Sequence, residues 1–67
     1  NTMPEVQVYM AAGRTTEQKK QLMLDISNAV VKNTGATIDN VTVQIVEAPL
    51  DHKMKGGVTF AERAAKK

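Results

Sequence analysis

The apolar residues of this chain switch from a period of two to a helical period and back again. In "EVQVYM", Val6, Val8 and Met10 alternate with Glu5, Gln7 and Tyr9, the pattern of a strand buried on one face. "AAGR" interrupts it. "TTEQ" then offers Thr15 as a helix N-cap with Gln18 three residues on, the spacing of a capping box. Beyond it Leu22, Ile26, Ala29, Val30 and Asn33 fall at helical spacing and Met23 widens the stripe. Lys19, Lys20, Asp25, Asn28 and Lys32 belong mostly to the opposite face. Gly35 is a fitting stop, so the pattern predicts a helix from Thr16 to about Thr34, about 28 Å long. "VTVQIV" alternates again, with Val41, Val43 and Ile45 on one face, Thr42, Gln44 and Val46 on the other, and Pro49 to end it. "DHKMKGGVTF" reads as a loop turning at Gly56-Gly57, and "AERAAKK" as a short terminal helical turn.

Strand, long helix, strand is a βαβ unit, which requires parallel strands and a crossover over one face. A single helix leaves the other face of the sheet and both of its edges open. That face carries Tyr9, Thr42, Gln44 and Val46, too apolar a set for a purely solvated skin, and is expected to pack against copies of the chain.

Composition points the same way. The 67 residues make one small domain with one phenylalanine, one tyrosine and no tryptophan, so its core must be aliphatic. Cysteine is absent, which removes disulfides and thiolate metal sites, and the single histidine, His52, argues against a metal centre. A core this small with neither staple calls for oligomerisation. The net charge of +2 is spread among interleaved acids and bases, without the basic stripe of a nucleic-acid surface. No apolar run approaches the roughly 18 residues of a membrane span. The expectation is a soluble, cytoplasmic protein with neither nucleic acid nor membrane as partner.

Candidate chemistry begins at the amino end. Asn1 and Thr2 precede Met3 and read as an expression remnant or processing scar, with the domain spanning residues 4–67. If Met3 is the initiator, its removal would leave Pro4 with a free secondary amine. An ordinary terminal amine titrates near about 8, and burial or neighbouring cations lower that towards neutrality, where a base works best. The other reading is that Pro4 simply opens an edge strand, where its missing N–H costs nothing. Arg14 lies just past the first strand and close to the helix start, where an anion could be held, or where a loop arginine is merely solvated.

A proline at the first mature position, a short strand, "GRTTEQKKQL", a helix of this length, "VTVQIVE" and a late "H-x-x-x-GG" together resemble the 4-oxalocrotonate tautomerase family. The resemblance runs from Pro4 to the end of the chain, and "GR-T-x-E-Q-K" is its most specific part. It implies an α+β fold: two parallel strands covered by one long helix, a C-terminal hairpin or turn, and assembly as a homohexamer, a trimer of dimers. It also implies an enzyme of aromatic-hydrocarbon catabolism that needs no cofactor or metal. Pro4 would be the general base, taking a proton from a 2-hydroxy-dienoate or enol acid and returning it at a carbon further along. Arg14 would hold the substrate carboxylate. At about 3.3 Å per residue, a strand of this length keeps Pro4 and Arg14 on the order of 20–30 Å apart within one chain. A site using both must therefore lie between subunits.

Two positions depart from the family pattern. Where the best-known members carry a second arginine, in the second strand, this chain has Thr42, and where they carry an aromatic wall residue it has Lys53. Threonine cannot stabilise a developing dienolate as a cation can. Lys53 or Lys55 could supply the missing charge as a point cation without arginine's fork, or could be plain surface lysines. The alternative function is a catalytically weakened relative that serves as a structural or small-carboxylate-binding oligomer.

Overall fold

The structure, a computed structural model, describes residues 4–65. Asn1, Thr2 and Met3, read above as remnant and initiator, lie outside the described residues, as do Lys66 and Lys67. Strand β1 (Glu5–Ala11) leads to helix α1 (Thr16–Thr34) and strand β2 (Thr42–Ala48). A small C-terminal unit follows, made of β3 (Met54–Lys55), β4 (Val58–Thr59) and helix α2 (Phe60–Ala65). Single 3-10 turns at Ile38–Asn40 and Leu50–His52 join these parts.

Helix α1 starts and stops where its local chemistry dictates. The Thr15 hydroxyl accepts from the Gln18 backbone N–H at 3.1 Å, and the Gln18 side chain accepts from the Thr15 N–H at 3.0 Å. Two otherwise orphaned donors are thereby satisfied, a cap of about 1 kcal/mol. At the other end Gly35 adopts φ +78°, the left-handed conformation, and its N–H reaches the Val31 carbonyl at 3.0 Å. Lys32 in the last turn and Glu17 in the first complement the helix dipole.

β1 and β2 pair in parallel, in register from Glu5 opposite Thr42 to Ala11 opposite Ala48. The backbone ladder is extended at both ends, by the Thr42 N–H to the Pro4 carbonyl (3.0 Å) and the Ala12 N–H to the Ala48 carbonyl (2.9 Å). β2 begins one residue later than the alternating stretch and continues two residues beyond it, up to Pro49, which ends the strand as expected. Val6, Val8, Met10, Val43 and Ile45 are the half-covered residues beneath α1.

The covering stripe of α1 is rotated from the expected one. Leu22, Met23, Ile26 and Val30 are half-buried as predicted, joined by Ser27, Val31 and Lys19. Ala29 and Asn33 are exposed instead, with the Asn33 amide turned back onto the Ala29 carbonyl at 2.7 Å. Lys19 was expected to face solvent. Its side chain is instead largely covered, and its ammonium meets Glu47 of β2 at 3.2 Å.

Residues 54–59 form the C-terminal hairpin, turning at the two glycines as expected. Met54 pairs with Thr59 and Lys55 with Val58, around Gly56 (φ +62°) and Gly57 (φ +80°). Positive φ at both central residues is what a two-residue type I′ turn demands, which is why two glycines stand there.

The single chain encloses almost nothing. Among the described residues only Ala36 is buried, at 7% exposure, while Tyr9 is 68% and Met54 62% exposed. The chain is 46 Å long, and its radius of gyration is 15.2 Å against about 11 Å for a compact domain of this length. The open sheet face carries Glu5, Gln7 and Tyr9 beside Thr42, Gln44 and Val46, with the Tyr9 hydroxyl donating to Gln7 at 3.1 Å. No described helix is long and apolar enough to cross a membrane.

Candidate active site

Pro4 and Arg14 occupy opposite ends of β1. Pro4 is half-buried beside Thr42, its carbonyl engaged by the Thr42 N–H. Arg14 lies in the four-residue link between β1 and α1, one residue before the Thr15 cap. The seven-residue strand between them spans about 23 Å, so one chain does not bring the two together.

Arg14 stands between two cavities at the C-terminal end of β1. One, of about 200 Å³, lies against the start of α1, where Gln18, Lys19 and Leu22 also line it. The other, of about 460 Å³, lies between that end of β1 and the C-terminal unit. Met10, Leu50 and Phe60 give it apolar walls, and Arg63 of α2 joins Arg14 as its second charged residue.

Of the lysines proposed from sequence, Lys55 lies in the hairpin and Lys53 immediately before it. The Lys53 ammonium sits over the Phe60 ring, 5.8 Å from its centroid, a cation–π arrangement that occupies the charge locally. Lys55 is exposed, and its carbonyl accepts from the Arg63 guanidinium at 2.8 Å. Neither lysine lines the cavities that contain Arg14. His52 is exposed, 3.8 Å from the Asp51 carboxylate. Among the described residues no group of acids and histidine could hold a metal ion.

Arg63 is the residue that sequence reasoning missed. The signal for it was present in "TFAE": Thr59 and Glu62 form a second capping box. The Glu62 carboxylate accepts from the Thr59 N–H at 2.8 Å and the Thr59 hydroxyl at 3.0 Å, while the Glu62 N–H donates to that hydroxyl at 3.1 Å. This box fixes the start of α2, and with it the direction in which Arg63 leaves the helix.

The backbone N–H of Thr59, and then its hydroxyl, hold the Glu62 carboxyl below its ordinary value of 4.5. A depressed folded-state value means that the cap contributes fully above pH 4.5 and loses its contribution as pH falls through the lowered value. Amide exchange at Glu62 and Arg63 is therefore expected to accelerate, beyond its intrinsic pH dependence, as pH falls from about 5 to about 3. E62Q should remove that excess. An unchanged profile in E62Q would show that Glu62 is not the group responsible.

The comparisons with known proteins agree with this architecture. The family profile described as tautomerase enzyme matches residues 4–63. A probable tautomerase of Bradyrhizobium diazoefficiens is 64% identical over 63 residues, covering 94% of both chains. The 2-hydroxymuconate tautomerase of Pseudomonas putida is 43% identical over 60 residues, covering 90% of this chain and 95% of its own. Among solved structures, a heterohexamer 4-oxalocrotonate tautomerase from Chloroflexus aurantiacus superposes with a TM-score of 0.84 at 33% identity, covering 90% of this chain and 97% of that one. With a capped helix crossing between two parallel strands and a proline and an arginine at the ends of the first, this chain belongs to the tautomerase family, in its 4-oxalocrotonate tautomerase branch, and is an enzyme of the isomerase type.

Proposed function

We propose that the protein is a cofactor-independent tautomerase acting on a small enol or 2-hydroxy-dienoate acid, with Pro4 as general base when its nitrogen is the free chain terminus. The observation that carries this reading is the placement of Pro4 and Arg14 at opposite ends of one seven-residue strand. They can share a small substrate only if copies of the chain meet end to end, so the working form is a homo-oligomer, read here as a hexamer built as a trimer of dimers. The near absence of enclosed side chains and the open Tyr9–Val46 face support that assembly.

In the assembled site the Pro4 nitrogen uses its lone pair to take the proton of the substrate hydroxyl. As that O–H bond breaks, the oxygen becomes a carbonyl and the conjugated double bonds shift. The protonated proline then delivers the proton to a carbon further along, forming a C–H bond and restoring the neutral amine. No electron leaves or enters the substrate. Arg14 of a neighbouring copy binds the carboxylate through its planar fork, which fixes the substrate's position and favours the neutral form of the amine beside it. Lys53 and Lys55, the auxiliary cations expected from sequence, line neither cavity that contains Arg14, so no contact with the carboxylate bound by Arg14 is assigned to them. The 2-hydroxymuconate tautomerase among the relatives supports the substrate class.

The test compares protein beginning at Pro4 with protein that keeps residues 1–3, following the ultraviolet-detected ketonisation of 2-hydroxymuconate and of phenylenolpyruvate. In the longer form the nitrogen is an amide without useful basicity. Turnover is expected in the trimmed form and a loss of at least about a hundredfold in the extended one. Equal turnover in both would remove Pro4 from the mechanism. Thr42, exposed and neutral beside Pro4, favours a second reading, a carboxylate-binding oligomer without turnover. Binding without ketonisation in the trimmed form would select it.

A further inference from the structure

We propose that Arg63 is a second carboxylate-binding residue, acting with Arg14 on one anionic end of the ligand. This deepens the tautomerase reading above and rests on it for the ligand class. Arg14 and Arg63 both line the same cavity of about 460 Å³, whose remaining lining residues are apolar, chiefly Met10, Leu50 and Phe60. Among the described residues the ion pairs join Lys19 to Glu47 and His52 to Asp51, so neither arginine has a carboxylate partner. Two like charges facing one apolar-walled space repel each other and strengthen the field there, and an anion between them relieves both effects.

Arg63 is also held ready. One of its terminal nitrogens donates to the Lys55 carbonyl at 2.8 Å, which ties the guanidinium to the hairpin. The Thr59–Glu62 box fixes the helix from which it projects. A guanidinium has five N–H donors, so this tether leaves others for a ligand. Ordering the side chain in advance lowers the entropy lost on binding. Arg63 thereby supplies a cation that Thr42 does not, from the opposite end of the strand pair and in the forked form that lysine lacks.

The experiment is a titration of the assembled protein with adipate, a saturated six-carbon diacid that cannot tautomerise, followed by the Nε–H resonances of its arginines. The resonances of Arg14 and Arg63 are expected to move together along one binding curve. R63Q should weaken adipate binding about tenfold, the scale of one charge-assisted hydrogen bond, with R63K recovering part of the loss. Movement of Arg14 alone in the wild-type protein would overturn the proposal, and so would unchanged affinity in a folded R63Q. The wild-type titration decides the matter even where R63Q loosens the hairpin. Adipate is bound without proton transfer, so the titration is repeated on the form that keeps residues 1–3. Joint movement there, with equal ketonisation by both forms, would uphold the arginine pair while the proline mechanism fell.

Discussion

Mixing two inactive preparations is expected to restore activity. One is the chain with residues 1–3 attached, which has Arg14 but a blocked Pro4; the other begins at Pro4 and carries R14A. Each alone should lose at least about a hundredfold in kcat/KM, the first for want of a base and the second for want of a carboxylate anchor. β1 separates the two groups by about 23 Å, too far to serve one small acid. In randomly mixed oligomers a site drawing Pro4 from one chain and Arg14 from another is intact in about one case in four. Denaturing the preparations together and refolding them should therefore return about a quarter of the activity of the trimmed wild-type protein. Refolding each alone should return none. A mixture that stays inactive while forming the full assembly would place both groups of the working site in a single chain.

The largest effect on stability is expected from V46D. Val46 lies opposite Tyr9 on the sheet face that α1 does not cover, and Tyr9 is 68% exposed in the single chain. If that face is closed by another copy, an unpaired carboxylate there costs several kcal/mol of desolvation. For a chain of this size each kcal/mol moves the midpoint of thermal unfolding by about 4–8 °C, so Tm should fall by more than about 10 °C. Sedimentation should show smaller species at the same concentration. A V46D protein of unchanged mass and Tm would mean that the face is solvated and that the chain gains its stability elsewhere.

The parts of the fold written locally in the sequence were legible there. Thr15 with Gln18, and Gly35, define α1 from both ends because a cap involves residues within a few positions of each other. The alternation in β1 and β2 likewise shows which residues lie under the helix. The rotation of the helix stripe was not legible. Ala29 and Val31 are both apolar neighbours of Val30, and only the position of the sheet decides that Val31 turns inward. Lys19 misled for a related reason: its charge reads as outward, while its partner Glu47 lies 28 residues away. The hairpin has two-residue strands, too short to display any period. Arg63 went unread because its setting depends on that hairpin, although "TFAE" already carried the capping signal. The positions of Pro4 and Arg14 made them candidates, the family resemblance implied their roles, and their separation followed from strand length alone.

The pairing of Glu5 with Thr42 has a consequence during synthesis. The first strand leaves the ribosome long before its partner exists, and even in the folded chain only Ala36 is buried among the described residues. A solitary newly made copy is thus an open target for proteases and for chance strand pairing. Its survival depends on how soon it meets others like itself. Production close together in space and time, as from one heavily translated message, would protect this protein more effectively than any stabilisation of the isolated chain.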